Sequence, residues 1–205
     1  MKLTHHLPER SSLHQPAHAQ HNSYVIKEIV YSKYFRYLSC KISLRPFCIH
    51  TDMPLVYNWA WKYHAAPELI AASYRYTSES SFACSYMALL NDRTPIGEID
   101  ICHAIQDELC DHYKALPGDF IMRLIIPGRH LSKQLQIHLI QTCTEYFFEN
   151  PRIERIIAEP ELASRPYDEI MMRSGFRFLQ KIYQSYKISN LYYCTRDSIP
   201  KKRTI

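Results

Sequence analysis

Short apolar runs bounded by turn residues come first along the chain. Ile42 to Cys48, Phe82 to Leu90 and Ile96 to Cys102 each predict a strand, and Asn91-Asp92-Arg93 joins the last two as a hairpin. After the first strand, Asp52 is placed to cap a helix carrying Leu55, Val56, Trp59 and Lys62, with Pro54 in its first turn and an end near His64. A second short helix starts around Pro67. Ala104 to Leu116 is irregular and rich in acidic and aromatic residues, and Asp119 to Ile126 is again strand-like. From about Leu131 to Glu149 the period changes. Leu131, Leu135, Leu139, Thr142, Cys143, Tyr146 and Phe147 form one stripe of a long helix, which Asn150-Pro151 stops. Ile153 to Ala158 predicts a strand, Ala163 to Ser174 a short helix with Gly175 as its left-handed C-cap, and Arg177 to Lys187 and Leu191 to Thr195 two closing strands. The sum is an α+β protein: an antiparallel meander, a strand–helix–strand crossover and a final hairpin. Its mixed, mostly antiparallel sheet has flanking helices.

At 205 residues the chain suits one domain with a full core. Residues 42–196 read as that domain, 23–41 as an arm or extra strand that includes Tyr24 to Tyr31, and 197–205 as a basic tail. Residues 1–22 are polar, hold five of the eleven histidines, and read as a disordered leader. A net charge of +5 suits an anionic ligand but is too weak and dispersed for nucleic acid. Seven scattered cysteines form no C-x-x-C pair and no zinc spacing, which fits reduced thiols in a core. Met1 to Arg10 lack the apolar stretch of a signal peptide, and no run is long enough to span a membrane, so the expected location is cytoplasmic.

The chemistry concentrates between Gly118 and Phe176. A strand feeds the basic loop Pro127-Gly128-Arg129-His130 and then a helix N-terminus, where free amides and the helix dipole favour an anion. Other pieces stand in a fixed order: Ser43-Leu44-Arg45-Pro46, Tyr57-Asn58-Trp59, Thr94-Pro95-Ile96-Gly97-Glu98-Ile99, then Asp107, Asp111-His112-Tyr113 and Asp119. Phe147-Phe148-Glu149-Asn150-Pro151, Arg155-Ile156, Glu159-Pro160 and Ser174-Gly175-Phe176 follow. Over Leu44 to Ser185 this order resembles the GNAT acyltransferases of hydroxamate siderophore biosynthesis, the aerobactin-type hydroxylysine acetyltransferases. It is more distantly similar to aminoglycoside 6′-N-acetyltransferases.

The resemblance implies the GNAT fold, an acyl-CoA cosubstrate such as acetyl-CoA, and a small-molecule amine or hydroxylamine acceptor. It places the cofactor at Ile125, Arg129, His130, Leu131, Ser132, Lys133, Gln134, Leu135 and Gln136. Where the family has glycines in this loop, the chain has Ser132, Gln134 and Gln136, whose side chains would crowd the phosphates. The subfamily's histidine falls at Arg123, its aspartate at Glu161 and its asparagine at Ser164. The tyrosine many relatives use to protonate the leaving thiolate falls at Met171.

Arginine cannot act as a general base, so Glu161 is the expected catalytic carboxylate, orienting or deprotonating the nucleophile, or else a helix cap. Arg123 either grips a substrate carboxylate or the thioester oxygen, or pairs with Asp119 or Glu161. Glu98 and Asp100 share a strand face, with His103 just beyond. With Trp59 and Trp61 they either line the acceptor site or serve solvent and core. Asp107, Asp111 and His112 resemble metal ligands superficially and read as a solvated loop, with no metal expected. A cysteine nucleophile, Cys102 or Cys143, lacks a histidine and acid in any recognised order. The expected function is acyl transfer to a hydroxylamino side chain, whose nitrogen is neutral at physiological pH. The alternatives are a GNAT-fold partner protein without catalysis and an aminoglycoside-like amine acetyltransferase.

Overall fold

The computed structural model describes residues 28–60, 67–127, 131–160, 165–184 and 188–199. The expected leader, Trp61, Arg129, His130, Glu161, Ser164 and most of the basic tail lie outside them. Eight strands form one sheet: β1 (Tyr31–Phe35), β2 (Cys40–Pro46), β3 (Ala83–Leu90), β4 (Thr94–His103), β5 (Asp119–Ile125), β6 (Arg155–Ala158), β7 (Arg177–Tyr183) and β8 (Ile188–Thr195). Their spatial order is β1-β2-β3-β4-β5-β6-β8-β7. Every neighbouring pair is antiparallel except β5 and β6. Four helices are described: α1 (Ile49–Ala60), α2 (Pro67–Glu79), α3 (Lys133–Phe147) and α4 (Arg165–Arg173). The parallel pair requires a crossover, and α3 supplies it. Among the described residues no helix is long and apolar enough to cross a membrane.

Side-chain alternation along β4 divides the molecule into two layers. Gly97 faces α3: a Cβ there would meet Leu139 at 3.0 Å. Ile99 and Ile101 follow on that face and join Leu139, Cys143 and Phe147 in the main core. Glu98 and Asp100 point the other way, toward α1 and α2. There Met87, the cross-strand partner of Glu98, packs with Phe47, Met53, Val56 and Tyr74.

Some elements differ from the sequence reading. The extra strand begins at Tyr31, where the expected one ended, and pairs with β2 at the sheet edge. Helix α1 starts three residues before Asp52, so Asp52 is not its N-cap. Its carboxylate instead accepts from the Cys48 amide at 2.8 Å and takes both Arg45 nitrogens at 2.7 and 2.8 Å. Burial alone would raise the Asp52 pKa; the bonds from Arg45 and Cys48 outweigh it and hold the carboxylate below its usual range. Helix α3 starts at Lys133 because Ser132 caps it, accepting from the Leu135 amide at 3.2 Å. Gly175 has φ 100°, and a Cβ there would meet the Ser198 carbonyl oxygen at 2.9 Å, so the C-cap needs glycine on both counts.

Candidate active site

The sheet opens where β5 leaves β6. Strand β6 pairs with β5 only from Asp119↔Arg155 to Met122↔Ala158, whereas β4 stays with β5 as far as Glu98↔Ile125. Glu159 and Pro160 follow Ala158 directly, and a proline has no amide to continue a ladder. Among the described residues, Arg123, Leu124 and Ile125 therefore have no strand partner on the β6 side. An extended ligand chain could hydrogen-bond along this edge. In sequence α3 is the next described helix after this edge, and its first amides lack intrahelical partners.

On the α1/α2 face beside this opening, register sets the polar groups in rows. Asp100 lies between Ser85 of β3 and Arg123 of β5, and Glu98 lies between Met87 and Ile125. The Ser85 hydroxyl donates to Asp100. Glu98 is 1% exposed, and burial followed by the charge of Asp100 pushes its pKa well above the usual carboxylate range. Asp100 is also raised by burial, partly countered by hydrogen bonds from Ser85 and Glu98. Of the two, Glu98 is pushed up further, so it holds a proton more tightly than Asp100. Tyr74 of α2 packs on this face; burial above all raises its pKa, so its phenol stays neutral.

Because Glu98 is neutral in the fold, Glu98→Gln replaces it with a near-isostere. The substitution should change stability by less than about 1 kcal/mol in chemical denaturation. A loss of several kcal/mol would mean that the carboxylate is charged and paired.

Arg123 forms an ion pair, with a partner the sequence reading did not name. Its Nη2 donates to Asp107 Oδ1 at 2.9 Å and its Nη1 to Oδ2. The expected partner Asp119 belongs instead to Arg155, through two bonds of 2.7 Å. Asp107 is not part of a solvated loop: its side chain is 8% exposed, and it also accepts from the Leu109 amide at 2.9 Å. Burial would raise the Asp107 pKa, but the Arg123 bonds dominate and lower it. Cys102 lies beside this pair, its thiol pushed up to about 12 by burial and then by Asp107, so it is not a thiolate nucleophile. Cys143 is buried in the main core, and burial raises its thiol too.

The structure gathers Trp59, Glu98, Asp100, Arg123 and Ile125 on one face, with Trp59 and Ile125 packed against the same core cluster. His103 is excluded: it falls on the α3 side of β4 and meets the Phe120 ring edge-on at 5.0 Å. Met171, where relatives carry a tyrosine, is 4% exposed in the main core. The side chains expected to crowd the helix start are turned to other partners. Gln136 donates to the Leu131 carbonyl at 3.0 Å, Gln134 meets His138 at 2.7 Å, and Ser132 accepts from the Leu135 amide; Lys133, expected to add charge, pairs with Glu169. Leu131 and Leu135 pack against the main core. Among the described residues, no three His, Cys, Asp or Glu side chains are placed to hold a metal ion.

Sequence reasoning missed Tyr74 and Ser85. Nothing distinguishes Tyr74 among sixteen tyrosines, while Ser85 is legible only once the hairpin register is known.

A family model described as the acetyltransferase (GNAT) domain matches residues 49–183. No curated protein matches the sequence. Among solved structures, an uncharacterized protein from Bacillus halodurans superposes with a TM-score of 0.73 at 16% identity, covering 82% of this chain and 91% of that one. The aminoglycoside acetyltransferase AAC(6')-Ib, in complex with paromomycin and acetyl-CoA, gives 0.67 at 18% identity over 80% and 98%. A chimeric spermidine N-acetyltransferase from Vibrio cholerae gives 0.62 at 12% identity over 77% and 97%. At these identities the likeness concerns the fold.

Proposed function

Since this chain belongs to the GNAT acetyltransferase domain family, we propose that it is an acyl-CoA-dependent N-acyltransferase whose acceptor is a hydroxylamino side chain, as in hydroxamate siderophore biosynthesis. The observation that carries this reading is the open β5 edge at Arg123 to Ile125, which lies beside the carboxyl pair Glu98–Asp100 and precedes α3 in sequence. In the proposal the pantetheine arm of the cosubstrate lies along that edge and its pyrophosphate meets the first turn of α3. The expected loop residues Arg129 and His130 would add charge there.

The acceptor nitrogen attacks the thioester carbonyl from the α1/α2 face. The new C–N bond forms, the C–S bond breaks, and CoA leaves as thiolate. The nitrogen must then lose a proton. Arg123 cannot take it, since Asp107 holds it as a cation. Asp100 is the described group suited to it: Ser85 holds the carboxylate in place, and burial raises its proton affinity. Glu161 remains the second proposed carboxylate.

A hydroxylamine is far less basic than an alkyl amine and arrives neutral, so this site needs to accept only the proton released on acylation. The acceptor should therefore decide turnover. We expect N-hydroxylysine or a hydroxylated diamine to be acylated faster than lysine or the plain diamine at pH 7, by roughly tenfold or more in kcat/KM. Parallel assays with acetyl-CoA test this. Equal or faster turnover of the plain amine would instead favour an amine acetyltransferase. Absence of acetyl-CoA binding at millimolar concentration would leave a GNAT-fold partner protein.

A further inference from the structure

A closed ring of hydrogen bonds lies on the outer side of α3, away from the carboxyl pair, and its direction is forced by chemistry. The Arg173 guanidinium can only donate, and its Nη2 gives to Gln134 Oε1 at 2.8 Å. The Gln134 amide nitrogen therefore faces His138 Nε2, at 2.7 Å, and must donate to it. That makes His138 Nε2 the bare ring nitrogen, and places the imidazole proton on Nδ1, 3.0 Å from Gln141 Oε1. Gln141 then donates through Nε2 to the Arg173 carbonyl at 3.2 Å, closing the ring on the residue where it began. Gln134, His138 and Gln141 stand on one ridge of α3, and Arg173 ends α4.

The ring also holds the N-terminal segment. Gln134 Nε2 donates to the Tyr37 hydroxyl at 3.4 Å, and the His138 imidazole packs against Phe35 at 4.2 Å and Tyr37 at 5.3 Å between ring centroids. His138 is 7% exposed. The charged and titratable groups around it come from every element packed there. Strand β1 brings Lys33, which is paired with Glu145 of α3. The turn after β1 brings Tyr37, and α4 brings Arg173, itself paired with Glu169. Glu169 in turn takes Lys133, the first residue of α3.

We propose that this ring is a proton-sensitive positioning device for the first turn of α3. It is closed while His138 is neutral and opened by protonation of His138. A second ring proton would put a donor against the Gln134 donor. The Gln134 amide would have to flip, and its NH₂ would then face the Arg173 guanidinium. The bond from Arg173 of α4 to Gln134 in the first turn of α3 would be lost, while Gln141 keeps its bond to the Arg173 carbonyl. Gln134 lies in the turn where the cosubstrate is proposed to place its pyrophosphate, so this inference rests on that reading. Burial, with Lys33 and Arg173 nearby, lowers the His138 pKa against the one bond it donates to Gln141, which raises it. The sign follows: a histidine lowered in the fold contributes stability that is full above its unfolded value near 6.5, and is lost as pH falls below it.

The test uses the full chain and acetyl-CoA. Calorimetry of the wild type should show the dissociation constant rising roughly tenfold between pH 7.5 and 5.5 beyond any rise in His138→Phe, which keeps the ring packing but cannot titrate. Histidine nitrogen NMR should find the Nδ1–H tautomer, a midpoint below 6.5, and Gln134 side-chain amide signals that move with that midpoint. The same pH dependence in His138→Phe, or an Nε2–H tautomer, would overturn the proposal. If acetyl-CoA binds at no pH, the positioning role falls with the cosubstrate reading, and the Gln134 signals still report whether the ring responds to protons.

Discussion

Replacing Asp119 with alanine should destabilise the protein by about 3–5 kcal/mol in urea or thermal unfolding. Asp119 is 1% exposed and takes both Arg155 nitrogens at 2.7 Å, while its Oδ2 also accepts from the Leu116 amide at 2.9 Å. It is also the register partner of Arg155 at the start of the parallel β5–β6 pair. The substitution leaves a half-buried guanidinium without its carboxylate, beside the Tyr193 ring at 5.8 Å. Replacing both members, as Asp119→Leu with Arg155→Met, should restore part of the loss, since no charge is then stranded. A single-variant cost under about 1 kcal/mol would show that water or another group compensates for the missing carboxylate.

The largest expected effect on turnover belongs to Asp100. Asp100→Asn keeps the shape and an acceptor for Ser85 but removes the proton acceptor, so kcat should fall by about 10²–10⁴-fold without loss of melting temperature. The wild-type rate should decline as pH falls through the Asp100 pKa, which burial raises from the ordinary carboxylate value; the base must be unprotonated to act. Asp100→Asn should abolish that limb of the profile. Full activity in this variant, together with an inactive Glu161→Gln, would move the role to Glu161.

Much of this was legible in the sequence, for identifiable reasons. The 3.6-residue stripe of α3, the turn at Asn91-Asp92 and the glycine at 175 are local signals, and each feature is found there, α3 two residues shorter at either end than expected. The partners of the site residues are not local. Counting six residues along each strand from the Leu90↔Thr94 pair puts Asp100 opposite Cys84; a register shift between Ala88 and Leu89 moves it to Ser85. One irregular residue pair thus hides which hydroxyl serves the carboxylate. The partner of Arg123 was hidden differently. Asp107 sits in an irregular stretch with no period to read, and only the folded path of Ala104–Gln106 and Glu108–Asp111 brings it back over β5. His103 misled because alternation counts faces correctly only when followed through: two residues beyond Ile101, it shares the α3 side.

The short β5–β6 ladder also governs how this sheet comes apart. Strands β1 to β5 are joined to one another by runs of neighbouring antiparallel pairs, and β6, β7 and β8 form a second group. Among the described residues, four residue pairs join the two groups within the sheet, all at the Asp119–Met122 end. Such a seam is where subglobal opening starts, because few backbone bonds must break to separate two otherwise intact units. A cosubstrate seated along the free edge of β5 would suture that seam. Occupancy would then register as slower amide exchange in β6 and β8, at positions the ligand never touches.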